Sequence, residues 1–498
     1  MQKMTLKVDG DPAHGSVSVQ VGRYPDLNYS NSETAPLLVP ECHHDHRFHR
    51  HQQQAHWRPL NREELEIIAG GPRWRKLRSR LLLCFWFCWL LMLGTAVAII
   101  IQTPKAVTPD LRWWQKDVFY HLHPGLLMDV QTNETSHISR VSARLPYLKS
   151  LGVSALILQG MFGPDSSSAN LTEIDHSLGT LPQFTQLITQ SRNAGVRVIL
   201  DLCELDLFDQ ELGNVTDVWS SMTKNIQYTL RFWLVQGVSG FGICDTDPAF
   251  SKKTLMEWNM LLQEFSSHDD ERILMVRQLG NIPSDNVFNI SVNGSLVELF
   301  TKPLIPDPHH PLSPAEVAEA MEASLQTQQR DWPSWTVGGG VPRELHRAIL
   351  VLIMTLPGTP IIKYGEEFNL VQQVTQLNQP PALFHSLSQS RAHEEALHFG
   401  TFTLLTFNAS LPSSGLNSTS TPPIAFLRSW GCVHFLVLIH LGSKPHSLDP
   451  GWAPSLPEGG VFVTSTGLDR FGPVTLRSIK MQPHEAIVIK LFESDITT

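Results

Sequence analysis

Twenty-one consecutive uncharged residues, Leu81–Ile101 (LLLCFWFCWLLMLGTAVAIII), constrain this chain more than any other stretch. At ~1.5 Å of rise per residue, a helix of that length matches the roughly 30 Å hydrocarbon core of a bilayer. Core helices of soluble proteins are usually shorter and carry polar residues on one side, whereas this run is apolar all round. Arg73, Arg75, Lys76, Arg78 and Arg80 precede it, and only Lys105 follows closely. Cationic flanks stay in the cytosol, so residues 1–80 are expected inside and residues 102–498 outside, as in a single-pass type II membrane protein. The run starts too far into the chain, and is too long, for a cleaved signal peptide. Within it, Gly94 and Ala98 lie one helical turn apart and are candidates for close packing against a second membrane helix.

Charge divides at the same boundary. Residues 1–80 hold 12 Lys/Arg and 9 Asp/Glu, while the remainder holds 26 and 38, a net of -12. An acidic exterior argues against nucleic acid and against anionic surfaces as partners. Sequons at Asn133, Asn170, Asn214, Asn289, Asn293, Asn408 and Asn417 fit a glycosylated ectodomain, and Asn28 falls on the cytosolic side, where it would go unused. The six cysteines are scattered and show neither a disulfide framework nor zinc spacing. Cys84 and Cys88 lie four residues apart on one helical face and read as apolar core or palmitoylation sites. The hydrocarbon disfavours the thiolate that disulfide exchange requires.

Residues 1–57 are polar and aperiodic and read as a disordered cytosolic tail, with a histidine tract (His43 to His56) that is expected to be solvated. Residues 58–80 read as a short helix capped by Asn61 and Glu64 and ended at Gly70–Gly71, followed by the basic cluster. The span is residues 81–101 and a tether covers 102–112. From 113 to 400 the pattern helix, glycine, apolar strand repeats in segments 143–158, 184–202, 226–244, 258–276 and 346–367, after a first strand at 118–124. That repeat predicts parallel strands with right-handed crossovers, and several such units suit a (β/α)8 barrel. A doubly wound open sheet is the alternative, although no glycine-rich phosphate loop follows the first strand. Short β-type runs from 401 to 498 predict a C-terminal antiparallel β-sandwich.

Six segments resemble the α-amylase (glycoside hydrolase family 13) barrel: VFYHLHP, YLKSLGVSALIL, IDHSLGT with the following Phe184, GVRVILDL, GVSGFGICD and TLPGTPIIKYGEE. Together with PLNREELEIIAG, the basic cluster and the span, they make the chain resemble the heavy subunits of heteromeric amino-acid transporters (solute carrier family 3), in particular the cell-surface antigen type. The resemblance implies a non-enzymatic subunit of the plasma membrane. Such a subunit associates with a polytopic light chain and aids its surface trafficking, for transport of neutral amino acids such as leucine. No cofactor or metal is implied.

Retaining glycoside hydrolysis needs two carboxyl groups about 5 Å apart. The amylase GFRxD pattern falls on Gly240–Cys244, which sets Gly242 at the arginine position and Cys244 at the nucleophile position. Asp245 is adjacent, but a one-residue slip along a strand turns the side chain to the other face. The acid position falls on Arg277 or Gln278, and the third carboxylate position on Val341 of Gly339-Gly340-Val341. Asp201 is retained, while Leu205 and Asp206 replace the family's Asn and His. The resemblance therefore implies an amylase scaffold without its three catalytic carboxylates. The stretch between Leu202 and Ile226 is too short for the small domain that active amylases and cystine-type heavy chains insert there. The family's light-chain cysteine just outside the membrane is missing from QTPKAVTPDLRWW, so the resemblance does not extend to a covalent tether. Cys203 and Cys244 end neighbouring strands and are expected as two free buried thiols. A membrane-anchored glycosidase, or an adhesion or receptor glycoprotein, are the alternatives.

Overall fold

A computed structural model of the protein describes residues 61–102, 109–127, 136–163, 171–203, 205, 216–245, 252–279, 296–305, 314–327, 332–338, 341–367, 381–405, 422–448, 452 and 456–492. The chain separates into two units, Met1–Pro104 and Lys105–Thr498.

In the first unit, helix α1 (Arg62–Ala69) opens as its sequence predicts: the Asn61 amide donates to Glu64 Oε2 at 3.3 Å. Gly70 and Gly71 break the helix, and Pro72, whose missing N–H is harmless at a helix start, begins α2 (Pro72–Gln102). The basic cluster and the apolar run are thus one continuous helix of 31 residues, none of them buried. It is the one helix among the described residues long and apolar enough to cross a membrane.

In the second unit a short helix, α3 (Trp113–Lys116), leads into eight parallel strands. They are β1 (Val118–Leu122), β2 (Val153–Leu158), β3 (Arg197–Asp201), β4 (Gly240–Cys244), β5 (Ile273–Arg277), β6 (Leu299–Ile305), β7 (Pro333–Gly338) and β8 (Thr359–Lys363). Each pairs with its sequence neighbour and β8 returns to β1, so the sheet closes into a barrel without an edge. Alternation along the strands sorts the side chains. Phe119, Ile157, Ile199, Met275, Leu299 and Ile361 pack with one another inside, while Tyr120, Leu156, Leu200, Phe241, Ile243 and Val276 join a larger core under the helices. Those helices are α4 (His137–Ser150), α5 (Leu181–Ala194), α6 (Thr216–Gln236), α7 (Lys252–Glu264), α8 (Pro314–Thr327) and α9 (His346–Thr355). α5 shows the local logic. Phe184, Leu187 and Ile188 form one buried stripe, the amide of Thr180 donates to Gln183 Oε1 at 2.9 Å, and Gly195 takes the left-handed φ of 74° that ends the helix. At the N-terminal end of the strands, Trp113 stacks on Phe119, and the Trp332 Nε1 and Trp114 carbonyl both meet Thr359 Oγ1 at 2.8 Å.

Two further helices, α10 (Ala382–His393) and α11 (Glu395–His398), lead to the C-terminal module. Its main sheet contains β9 (Thr401–Leu405), β10 (Ile424–Trp430), β11 (Val433–Ile439), β13 (Gly459–Ser465), β14 (Pro473–Thr475) and β16 (Ala486–Leu491), all antiparallel. Phe426, Phe435, Val437 and Val488 on one face belong to the same core as the barrel helices. The other face (Leu436, Leu438, Ile487, Ile489) is covered by Leu448, Trp452, Leu476 and Met481, around a two-stranded ribbon of β12 (His446–Ser447) and β15 (Lys480–Met481). The expected second layer is therefore small, and the large sheet is buried on both faces.

Candidate functional site at the barrel mouth

In a closed parallel barrel the C-terminal ends of the strands and the loops that follow them form the mouth, where such folds carry their chemistry. Register decides which side chains meet there. Asp201 pairs with Gly242 across β3 and β4, Cys244 with Arg277 across β4 and β5, and Lys363 with His121 across β8 and β1. Three of these residues form one buried cluster. Asp201 Oδ2 lies 3.0 Å from Arg277 Nη1 and 3.1 Å from His121 Nε2, and the Cys203 amide donates to Asp201 Oδ1 at 3.0 Å. Both carboxylate oxygens are engaged, and Asp201 is only 5% exposed.

Cys244 corrects the expectation of free thiols. Cys203 and Cys244 are joined in a disulfide, with Cα atoms 4.9 Å apart. Asp201 ends β3 and Cys203 stands two residues later, so the staple bridges the ends of adjacent strands beside the ionic cluster. No thiolate is then presented at the position where the amylase resemblance expects the nucleophile. Gly242 keeps this corner closed. A Cβ at that position would stand 3.2 Å from Asp201 Oδ1 and 3.3 Å from Met275 Cγ, so any larger side chain there requires Asp201 and Met275 to shift by a few tenths of an ångström.

The other expected positions separate. Asp245 is buried, and the Leu279 amide donates to its Oδ1 at 2.8 Å. Gln278 donates its amide to the Thr301 carbonyl at 2.9 Å. Val341 is half-buried against the main core, and its carbonyl lies 3.0 Å from His346 Nε2. Gly339, Gly340 and Asp206 lie outside the described residues, as do all seven sequons and the histidine tract. On α2, Gly94 is open, with nothing within 4 Å of a Cβ placed there, and Ala98 is exposed.

The resemblance pointed to no role for His121, although it sits in the quoted VFYHLHP segment. Period-two alternation with Phe119 could have flagged it, but only the closed sheet says which face is inner. A second buried acid also escaped notice. Glu367 follows β8, accepts the Tyr120 hydroxyl and takes the Gly365 amide at 2.8 Å. Burial pushes its carboxyl up to about 7 and the Tyr120 phenol well above its ordinary range. Glu366, whose Oε2 accepts the Lys363 amide at 2.9 Å, is likewise raised by burial to about 7. Among the described residues no group of three His, Cys, Asp or Glu is placed to hold a metal ion.

Comparison with known proteins agrees with this architecture. Residues 45–120 match the family model for the solute carrier family 3 member 2 N-terminus, and residues 122–204 match the α-amylase catalytic domain. The chain is 28% identical to the amino acid transporter heavy chain SLC3A2 of Oryctolagus cuniculus over 86% of its own length and 87% of that protein's. Against the SLC3A2 heavy chain of Rattus norvegicus it is 31% identical, over 64% of this chain and 61% of the relative. Among solved structures, a trehalulose synthase MutB mutant superposes with a TM-score of 0.58 at 14% identity, covering 76% of this chain and 100% of that one, a likeness of fold alone. The chain thus resembles amino-acid transporter heavy chains with an amylase-like barrel.

Proposed function

We propose that this chain, similar over most of its length to amino-acid transporter heavy chains, is a non-catalytic heavy subunit. Its apolar helix α2 packs beside a polytopic light chain, with Gly94 and Ala98 allowing close approach. Its glycosylated, extracellular barrel and β-module stabilise that partner and help carry it to the plasma membrane. Residues 1–80 are cytosolic, and the domain limits are those read from the sequence. The transport path belongs to the partner, because one helix whose Leu81–Ile101 run is uncharged offers no route for a polar solute. The cargo is of the L-type class, neutral amino acids such as leucine. The family's juxtamembrane tether is missing, since no cysteine stands between α2 and α3, so association rests on packing of the membrane helix and of the barrel's underside.

One observation carries the non-catalytic reading. Where a retaining glycosidase needs a free nucleophile and an acid about 5 Å apart, this chain presents a disulfide and an arginine that engages the remaining Asp201. An enzyme reading would require Asp201 to be released and a second acid supplied. Purification from cells in mild detergent tests the proposal. A multi-span amino-acid transporter should co-purify with and without reductant, and cells depleted of this chain should lose surface transporter and leucine uptake. Recovery of the chain without any transporter, or turnover of maltosides by the purified protein, would sink the reading.

A further inference from the structure

A second concave site lies at the opposite end of the barrel, between the C-terminus of α5 and the starts of β3, β4 and β5. It encloses about 230 Å3 and is lined by Arg192, Arg197, Arg272, Ser239, Asp270 and Gly237, among others. Three arginines and a single carboxylate residue thus line one cavity. Asp270 does not neutralise them evenly. Its Oδ1 is 2.8 Å from Arg272 Nη1 and 3.9 Å from Arg197 Nε. Arg197 also has Asp117 Oδ2 at 4.0 Å, and its guanidinium carbon rests 4.4 Å from the centre of the Trp113 ring. Arg192 has no carboxylate partner among the described residues. Its place is made by Gly237, where a Cβ would come within 2.8 Å of Arg192 Nη2.

Arg272 is the most enclosed of the three arginines. Its side chain is only 9% exposed, yet its Nε is buried and has no hydrogen-bond partner among the described residues. A buried donor left unmade is unfavourable, and a guanidinium fork is built to meet two oxygens of one acceptor. The volume is below that of sites for drug-sized ligands, which favours a single anionic group over a sugar chain.

We propose that this cavity binds a small oxyanion, phosphate or sulfate, free or borne on a larger molecule, held by Arg192, Arg197 and Arg272. The site uses none of the residues at the barrel mouth, and the inference does not depend on the chain having a transporter partner. The anion pairs with the guanidinium donors that the cavity leaves accessible, and Arg192 closes over it from the surface.

The test uses the full chain in detergent, titrated calorimetrically with inorganic phosphate against sodium chloride at matched ionic strength. Wild type should show saturable phosphate binding. Arg192→Gln, an exposed change that leaves the fold intact, should weaken it by about tenfold, and Arg192→Lys, which keeps charge but loses the fork, by less. No saturable binding, or equal affinity in wild type and Arg192→Gln, would overturn the proposal. Repeating the titration in phosphatidylcholine nanodiscs with and without phosphatidic acid separates the sources. Loss of the phosphate response with phosphatidic acid assigns a lipid-borne group, and an unchanged response assigns a soluble one.

Discussion

Arg277 shows how one side chain alters what a barrel mouth can do. A buried ion pair contributes little net stability compared with apolar residues, but removing one partner leaves an uncompensated charge. Arg277→Ala strands Asp201 beside His121, so it should destabilise the unit by about 3 kcal/mol in denaturant unfolding. The double change Asp201→Asn with Arg277→Met removes both charges and should recover much of that loss. Failure to recover would mean that Arg277 acts through packing. Glu367 gives a second prediction, this time with pH. Burial raises its carboxyl from the ordinary 4.5 to about 7, so the folded state holds a proton that the unfolded chain releases in between. Its contribution is therefore present below about pH 4.5 and is lost as pH rises through about 7, a change of about 3 kcal/mol. Thermal melts of Glu367→Gln should show a shallower slope between pH 5 and 7.5, the remainder belonging to Glu366, while the Gln side chain can still bond Tyr120 and Gly365.

At the scale of elements, the disulfide between Cys203 and Cys244 takes over from hydrogen bonding where β3 and β4 end. It closes a loop of sequence separation 41, for which chain-entropy arguments give roughly 2–4 kcal/mol. The double change Cys203→Ser and Cys244→Ser should lower stability by that amount, and reductant should then have no further effect. Peptide mapping without reductant should find the linked pair in the wild type. The inner helices follow simpler rules. α9 is buried over most of its length, which suits its run of Ile, Leu, Val and Met, and its C-terminal carbonyls need partners that water cannot supply.

At the scale of the whole extramembrane unit, those partners tie barrel and β-module together. Arg391 of α10 donates to the carbonyls of Met354 at 3.1 Å and Leu356 at 3.2 Å, and Arg428 of β10 to those of Thr355 at 2.9 Å and Gly400 at 3.0 Å. Burial lowers Arg391 to about 10, and burial with the neighbouring Arg391 lowers Arg428 to about 9. The end of α9 thus carries two buried guanidiniums in place of solvent, where the helix dipole favours cations. Because Phe426 and Phe435 share a core with the barrel helices, the unit should unfold in one transition. Arg428→Met should lower that transition by about 2–4 kcal/mol without splitting it, since the orphaned carbonyls belong to both parts. Hydrogen exchange that quickened in the β-module alone would contradict a shared core.

Much of this molecule was written in local patterns. The length and uniform apolarity of Leu81–Ile101 specify a helix suited to a membrane, and the repeat of helix, glycine and buried strand specifies parallel strands, because both signals depend only on near neighbours in sequence. The positions aligned with amylase motifs could also be named in advance. Their partners could not. That Arg277 would reach Asp201, that His121 would face inward, that Cys203 and Cys244 would bond and that three arginines would share a cavity follow from register around a closed sheet. Barrel closure brings together residues far apart in sequence, from Cys203 and Cys244 at a separation of 41 to His121 and Lys363 at opposite ends of the barrel's chain order, and no local preference encodes which of them meet.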